Sequence, residues 1–432
     1  MKQPRPYPRL TVTKKGERWL SSGHLWVFES DVAEQPPAEN GAIVDVLGPG
    51  GAYLGTGLLS HESKIRARIV SRNANDRFDQ AFWDRKAAWA WGYRRTVLGP
   101  RSLPGCEPDT ACCRVLFSEA DGFPGMTVDR YGDVLVAQPT TAGMDRLRPQ
   151  VYAAVLKALA EDPSGPAIRG LYERADGTVR EKEGLDRHQG WWLPESGSPA
   201  DGLLPSHTTA TQVRVQENGI TYTVDLARSQ KTGFFLDQKY NRRAVGRLAP
   251  GRRVLDCFSH VGPFGLNAAK GGAEFVRCVD ISQTACDLAL ANAQTNGLVG
   301  TMAFTCANVF EYLDALIADK RRLREDGGPF DLIVLDPPAF TKSRSTQGRA
   351  LRGYREINNQ ALRLLPRGGY LATCSCSQHM PAELLKQAVA EAAHDARVTL
   401  RQVEERQQAP DHPILLDVPE THYLDFLIFQ AV

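Results

Sequence analysis

Two cysteines spaced two apart, Cys374 and Cys376, close a strand-like run, GGYLATCSCS, near the end of the chain. Residues two apart in a strand project to the same side, so both thiols face one way. A thiolate there is a nucleophile toward carbon; the alternative is a pair of small core side chains, because free cysteine is commonly buried. Upstream, the run FDLIVLD ends in Asp336-Pro337-Pro338-Ala339-Phe340. Two prolines cannot continue a central strand or begin an ordinary helix interior. They fix a stiff turn that projects the Asp336 carboxylate from the strand end. A third feature is the turn Asp256-Cys-Phe258-Ser259-His-Val-Gly262-Pro-Phe-Gly265. It lacks the GxGxxG of a dinucleotide site, yet its glycines allow a ligand close to the backbone. Asp280 ends the following strand, 24 residues after Asp256. A carboxylate so placed accepts both hydroxyls of a ribose, or else caps the next helix. The Asp-Pro-Pro turn separates an S-adenosylmethionine site from a nicotinamide site, and the combination points to the former.

These residues need a parallel sheet to bring them together, and the second half of the chain has the alternation to make one. RRVLDCFS precedes the small-residue helix GPFGLNAAKGG, and FVRCVDIS leads into TACDLALANAQTNG, which Asn296-Gly297 can terminate. MAFTCANV, a charged helix ending near Asp326, FDLIVLD, a helix through about Leu365, GGYLATCSCS and the helix PAELLKQAVAEAAHDA follow, and VTLRQVEE and YLDFLIFQ close the chain. Such alternation implies a parallel sheet covered on both faces, whose ligands bind beyond the carboxyl ends of its strands.

The first half has a different texture. AIVDVLG, AYLGTGLLS and IRARIVS are short runs broken by glycine, the pattern of a small β-rich barrel over residues 1–75. A helical pattern then begins, with Phe78, Phe82, Trp83, Ala87 and Trp91 near helical spacing, its tryptophans directed at a core. GMTVDRYGDVLVAQ reads as two strands around a Tyr-Gly-Asp turn, and VYAAVLKALAE as a helix. The Pro-, Gly-, Ser- and Thr-rich stretch 194–211 reads as a linker or exposed loop. Three domains are expected: 1–75, 76–205 and 206–432.

Bulk properties exclude more than they assign. The 432 residues are 42% hydrophobic and 24% charged, an ordinary soluble balance, and the longest apolar runs are strand-length rather than membrane-spanning. No charged-then-apolar leader opens the chain, and nine scattered cysteines without paired spacing fit a reducing, cytoplasmic setting. Cys106, Cys112 and Cys113 match no zinc pattern, and no metal is expected. No GxSxG elbow, P-loop or HExxH is present, which speaks against a hydrolase. The net charge of +2 does not announce nucleic acid, but the first 18 residues hold Lys2, Arg5, Arg9, Lys14, Lys15 and Arg18 against Glu17 alone. Such an arm contacts phosphates or is a solvated terminus.

Gly23-His-Leu-Trp-Val-Phe28, Glu119-Ala-Asp-Gly-Phe-Pro-Gly125, Asp129-Arg-Tyr-Gly-Asp133, Thr232-Gly-Phe-Phe-Leu-Asp-Gln238, Asp336-Pro-Pro-Ala-Phe340, Ser375-Cys-Ser377 and Asp411-His-Pro413 together resemble the bacterial large-subunit ribosomal RNA cytosine-C5 methyltransferases of the three-domain type. The resemblance covers nearly the whole chain. It implies a class I, Rossmann-like methyltransferase domain preceded by a β-rich PUA barrel and a small α/β middle domain. It implies that Phe234, Phe235, Asp237 and Gln238 help form the S-adenosylmethionine pocket. The turn from Asp256 through Phe258 and Ser259 to Gly262 would cradle the methionine portion, and Asp280 the ribose. Where the family often has Asp facing the adenine, this chain has Asn308, an amide still able to accept from the adenine amino group. The Ser-Cys-Ser pattern places the nucleophile at Cys376, with Cys374 an inward-packed apolar residue. Ala339 stands where some other RNA cytosine methyltransferases carry a second cysteine. The thiolate of Cys376 would add at C6 of cytosine, making C5 enamine-like, and Asp336 would be protonated or hydrogen-bonded to the base at N3 and N4. The base that removes the C5 proton is not identified. Ribosomal RNA, of the 23S class, is the expected partner; Arg66, Arg68, Lys14 and Lys15 are its candidate phosphate contacts, and homo-oligomerisation stays open. The competing readings are methylation of a base nitrogen without covalent catalysis, and a non-catalytic RNA-binding assembly factor.

Overall fold

The glycine-broken runs at the start of the chain become six strands, β1 (Arg9–Val12), β2 (Trp26–Phe28), β3 (Val32–Glu34), β4 (Ile43–Leu47), β5 (Tyr53–Leu59) and β6 (Ile65–Ser71), in the order β2-β6-β5-β4-β1-β3. Their alternate residues Leu10, Val12, Val27, Val44, Val46, Leu59, Ala67 and Ile69 form one buried cluster. This computed structural model describes residues 5–162, 165–204, 210–228, 232–341 and 346–432. The chain divides into two units: Met1–Gln216 with Thr223–Leu236 and Pro410–Thr421, and Glu217–Tyr222 with Asp237–Ala409 and His422–Val432.

In the first unit the basic N-terminal stretch is structured rather than a loose arm. Arg5 grips Asp45 through Nε at 2.8 Å and Nη2 at 3.0 Å, and Lys14 opens helix α1 (Lys14–Ser21), capped by the Thr13 side chain. Lys2 lies outside the described residues. A second sheet, β7 (Cys112–Phe117), β8 (Met126–Tyr131), β9 (Val134–Pro139), β10 (Gly170–Ala175) and β11 (His188–Trp192), runs in the order β11-β10-β9-β8-β7. It is accompanied by α2 (Gln80–Leu98), the single-turn α3 (Ser118–Asp121) and α4 (Ala142–Ala160). Asp79 caps α2, accepting from the Phe82 amide. Trp83 and Trp91 are buried as expected from their spacing, whereas Trp89 is 66% exposed. Within the expected linker, residues 205–209 lie outside the described residues; 194–204 hold neither helix nor strand.

The motif Asp411-His-Pro413 is structural in this unit. Asp411 accepts from the Arg114 amide at 2.8 Å, and its own carbonyl accepts from Arg94, which clamps Asp121 with both terminal nitrogens. Arg114 in turn holds Asp129 bidentately at 2.8 and 2.9 Å, so three of the recognised motifs meet through two arginines.

A two-stranded sheet, β12 (Gln212–Glu217) and β13 (Ile220–Asp225), precedes the second unit's sheet. That sheet comprises β14 (Arg253–Cys257), β15 (Phe275–Asp280), β16 (Met302–Cys306), β17 (Leu332–Leu335), β18 (Tyr370–Ser375), β19 (Leu400–Gln407) and β20 (Asp425–Ala431), in the order β16-β15-β14-β17-β18-β20-β19. β14 to β18 pair in parallel, and β20 enters antiparallel between β18 and β19. Leu255, Ile333, Val334 and Leu335 are wholly buried, as strands covered on both faces require. Helices α5 (Lys239–Leu248), α6 (Pro263–Lys270), α7 (Gln283–Thr295), α8 (Val309–Ala318), α9 (Lys320–Glu325), α10 (Gln347–Leu364) and α11 (Ala382–Ala396) complete the unit. The expected charged helix is two helices, because Asp319 adopts extended backbone and caps α9 through the amides of Arg321 and Arg322. Strand order reverses between β14 and β17, the switch point at which sheets of this kind hold ligands.

Candidate active site

At that switch point the turn after β14 is wound tightly. Phe258 and His260 take positive φ, +60° and +49°, and Gly262 caps α6 at +82°. Gly265 lets the helix lie against the sheet: a Cβ there would stand 2.5 Å from Cys278 Sγ and 3.2 Å from Asp256 Oδ2. Asp256 is wholly buried, with Oδ2 accepting the Gly265 amide at 2.8 Å. Its Oδ1 and the buried Oγ of Ser259 have no hydrogen-bond partner among the described residues. Burial pushes the Asp256 carboxyl up to about 8; the Gly265 bond pulls against that rise, and the Asp336 and Asp280 carboxylates add to it.

Asp280 ends β15, partly exposed, and is held by two backbone amides: His260 N to Oδ2 at 2.8 Å and Ser282 N to Oδ1 at 2.9 Å. The cap of α7 is Ser282 itself, whose hydroxyl accepts from Ala285. Asn308 lies beyond β16 and caps α8, its Oδ1 accepting the Phe310 amide at 3.0 Å, so the acceptor expected to face an adenine is engaged with its own helix.

Asp336 follows β17 directly, partly exposed at the start of the double-proline turn. Its Oδ1 accepts from the Cys374 thiol at 2.8 Å and from Gln238 Nε2 at 3.2 Å; Oδ2 takes no hydrogen bond among the described residues. Gln238 also donates to Cys374 Sγ at 3.4 Å, and its Oε1 accepts from Asn241 at 2.7 Å. Asn241 Oδ1 accepts from Arg406 Nε at 3.1 Å, extending the relay to β19. Asp237, the neighbour of Gln238, accepts from Tyr423 Oη at 2.6 Å. Burial pushes Asp336 up to about 6, with Asp237 adding to the rise and Cys374, Arg242 and Gln238 holding it down. Burial also pushes the Cys374 thiol well above its ordinary range, and the Asp336 carboxylate beside it adds to the rise, so the thiol keeps its proton and donates.

Cys376 stands one residue past the end of β18, partly exposed, with Sγ 4.0 Å from the Pro337 carbonyl of the double-proline turn. Its flanking serines are fixed: Tyr354 Oη donates to Ser375 Oγ at 3.2 Å, and Ser377 Oγ donates to the Thr341 carbonyl at 3.0 Å. Asp237, Gln238, Asp256, Phe258, Ser259, Gly262, Asp280, Asn308, Asp336 and Cys376 therefore all belong to the second unit. Phe234 and Phe235 belong to the first, where the buried Phe234 donates its amide to Tyr131 Oη at 3.0 Å.

Sequence reasoning read Cys374 as apolar filler and missed its bond to Asp336. The bond follows from the parallel register, in which Leu335 pairs with Thr373 and the residues that come next are Asp336 and Cys374; the local sequence does not state that register. It also missed the ion pair of Arg242 with Glu217, at 2.7 and 2.8 Å and almost without exposure.

The four candidate phosphate contacts lie in the first unit. Lys15 is exposed at its side chain and pairs with Asp31 at 2.9 Å. Arg66 is mostly buried, bonded to Glu29 and to the Ser60 and His61 carbonyls. Arg68, expected to contact phosphate, is instead 7% exposed and closed by Glu183 at 2.8 Å. Its guanidinium is committed to an internal pair.

A family model described as an S-adenosylmethionine-dependent methyltransferase matches residues 201–430, and one described as a PUA-like domain matches residues 10–72. The chain is 38% identical over 428 residues to the ribosomal RNA large subunit methyltransferase I of Shewanella denitrificans, covering 98% of this chain and 99% of that one. It is 36% identical over 420 residues to the protein of the same name from Klebsiella pneumoniae, with 97% of each covered. Among solved structures, a SAM-dependent methyltransferase from Streptococcus mutans superposes with a TM-score of 0.76 at 21% identity, over 98% of this chain and 100% of that one. The SMU.776 methyltransferase complexed with SAH superposes at 0.77 and 20% identity with the same coverage; at these identities the likeness speaks for the fold. The chain is an S-adenosylmethionine-dependent methyltransferase with a PUA-like domain, and it belongs to the family of the ribosomal RNA large subunit methyltransferases I.

Proposed function

We propose that the chain methylates C5 of a cytosine in large-subunit ribosomal RNA, of the 23S class, through a Cys376 adduct at C6. The observation that supports it best is the placement of the partly exposed Cys376 sulfur against the double-proline turn that begins with Asp336, whose Oδ2 is uncommitted among the described residues. The names of the relatives support the RNA.

The residues present suit S-adenosylmethionine. Asp256 Oδ1 and Ser259 Oγ are buried polar atoms without a partner among the described residues, beside a left-handed turn that bares backbone. Such atoms call for a polar ligand. Asp256, Phe258, Ser259 and Gly262 would hold the amino-acid end, and Asp280 the ribose. Asp237 and Gln238 would line the approach, and Asn308 would border the adenine. When bound, S-adenosylmethionine supplies a sulfonium methyl group, an electrophile for carbon.

Cytosine C5 is too weak a nucleophile unaided. The Cys376 thiolate adds its electron pair to C6, and the C5–C6 π electrons move toward N3, where Asp336 donates a proton or a hydrogen bond. Asp336, pushed up to about 6 by burial, holds a proton far more readily than an ordinary aspartate. C5, now enamine-like, takes the methyl group as the sulfonium S–CH3 bond breaks and S-adenosylhomocysteine departs; N3 returns its proton to Asp336, and loss of the C5 proton to a base then re-forms the C5–C6 double bond. The C6–S bond breaks and Cys376 leaves as thiolate.

The test is methyl transfer from labelled S-adenosylmethionine to ribosomal RNA lacking its own modifications, using wild type, Cys376→Ala and Cys374→Ala, with nucleoside analysis. 5-Methylcytosine that disappears only with Cys376 supports the reading. Another methylated nucleoside, or activity that survives Cys376→Ala, points to nitrogen methylation without an adduct and overturns it.

A further inference from the structure

The thiol of Cys374 is buried, protonated and used by no step above. We infer that Cys374 is a positioning residue: together with Gln238 it pins Oδ1 of Asp336, so that Oδ2 alone is presented to the target base. This rests on the proposed cytosine chemistry for its purpose, but its geometry stands apart from it.

Three distances carry the inference: thiol to Oδ1 at 2.8 Å, Gln238 Nε2 to Oδ1 at 3.2 Å, and Gln238 Nε2 to Cys374 Sγ at 3.4 Å. They close a triangle around one carboxylate oxygen. Gln238 cannot turn away, because its Oε1 is held by Asn241, itself held by Arg406. Cys374 cannot turn away either, lying within β18 with no exposure. A carboxyl with one oxygen saturated by two donors has its free oxygen fixed in direction, and preorganisation of that kind is what a hydrogen bond formed in the transition state requires. An ordinary packed cysteine would face apolar side chains; this one faces an acid at the ligand end of the sheet.

The pair also pulls the Asp336 titration down against the rise that burial causes. The groups around it are Asp237 and Gln238 before α5, Arg242 on α5, Asp256 on β14, Cys374 on β18 and Tyr354 on α10. Of these Cys374, Gln238 and Arg242 favour the ionised carboxyl. Removing the thiol therefore moves Asp336 to a higher pKa.

The experiment uses the full chain as wild type, Cys374→Ala, Cys374→Ser and Gln238→Ala, each checked for fold by circular dichroism. Carboxyl-carbon NMR, with Asp336 assigned through Asp336→Asn, follows its titration without RNA. Methylation rate against pH and covalent trapping on RNA containing 5-fluorocytidine follow the reaction. Cys374→Ala should raise the Asp336 titration by about one pH unit. It should lower kcat about tenfold with KM for RNA near wild type, shift the corresponding limb of the rate profile equally, and leave trapping intact. Cys374→Ser, which keeps a donor, should restore both, and Gln238→Ala should reproduce the shift. An unmoved titration in Cys374→Ala, with lost stability alone, makes Cys374 a packing residue and overturns the inference. Loss of trapping in Cys374→Ala with trapping kept in Cys376→Ala makes Cys374 the nucleophile and overturns it too. If wild type forms no adduct at all, the cytosine reading fails, while the NMR titration still decides whether the thiol governs Asp336.

Discussion

Asp256 makes the second unit sensitive to alkali in a way that can be calculated. Its carboxyl titrates at about 8 in the folded chain against 3.8 for an ordinary aspartate, because the ionised form would sit buried with Oδ1 unpartnered. A group whose folded pKa is raised stabilises the fold fully below its unfolded pKa. That contribution falls as pH rises and is spent above the folded pKa. Between about pH 6 and about pH 9 the loss covers the two pH units below 8, or roughly 3 kcal/mol at about 1.4 kcal/mol each. Asp336, titrating near 6, is largely past its own step in that window. Asp256→Asn mimics the protonated acid and cannot ionise, so it should flatten the slope. All seven tryptophans lie in the first unit, so tryptophan fluorescence serves as an internal control, and hydrogen exchange of peptides from 237–409 reports the second unit. Wild type should lose roughly 3 kcal/mol of protection free energy across the window, and Asp256→Asn much less. S-Adenosylhomocysteine, whose ammonium would pair with Asp256, should also shrink the wild-type loss. An equal alkaline loss in wild type and Asp256→Asn would refute the reasoning, since the titrating group would then lie elsewhere.

Other outcomes follow from the same geometry. Asp336→Asn should keep S-adenosylmethionine affinity, measured by calorimetry, and lower the methylation rate by roughly 10² to 10⁴. Glu217→Ala should destabilise the second unit by about 3–5 kcal/mol in urea denaturation followed by circular dichroism, because the buried Arg242 loses its bidentate carboxylate. Gly265→Ala should cost about 1–3 kcal/mol and weaken cofactor binding, as the new Cβ meets Cys278 Sγ at 2.5 Å beside Asp256. Reversing Lys14 and Lys15 to Glu should weaken RNA binding and flatten its dependence on salt, whereas Arg68→Gln should act on stability, its partner being Glu183.

The parallel sheet was legible because its central strands are buried on both faces and read as unbroken apolar runs between helices. Its strand order was not, since nothing local to Leu332–Leu335 states that it pairs with β14 rather than with β16. Partners far along the chain were hidden for the same reason. IRARIVS alternates like a half-exposed strand, yet Arg68 turns inward to Glu183, 115 residues away. Arg5 finds Asp45 across 40 residues and ceases to be part of an arm.

The acid at the centre of the site shows how far residue types can be taken. Two prolines after an apolar strand determine that Asp336 stands at a strand end, which is a local property of backbone stiffness. Whether that acid is ionised is set first by its burial, against which Cys374, Arg242 and Gln238 pull, and its Oδ1 is taken by Cys374 from the neighbouring strand and by Gln238, 98 residues earlier. Spacing alone made Cys374 and Cys376 equivalent, two thiols on one side of a strand. The end of β18 at Ser375 separates them: one thiol stays in the sheet against a carboxylate, the other leaves it beside a proline carbonyl. Where that single strand stops therefore decides which thiol meets the carboxylate and which meets the proline carbonyl.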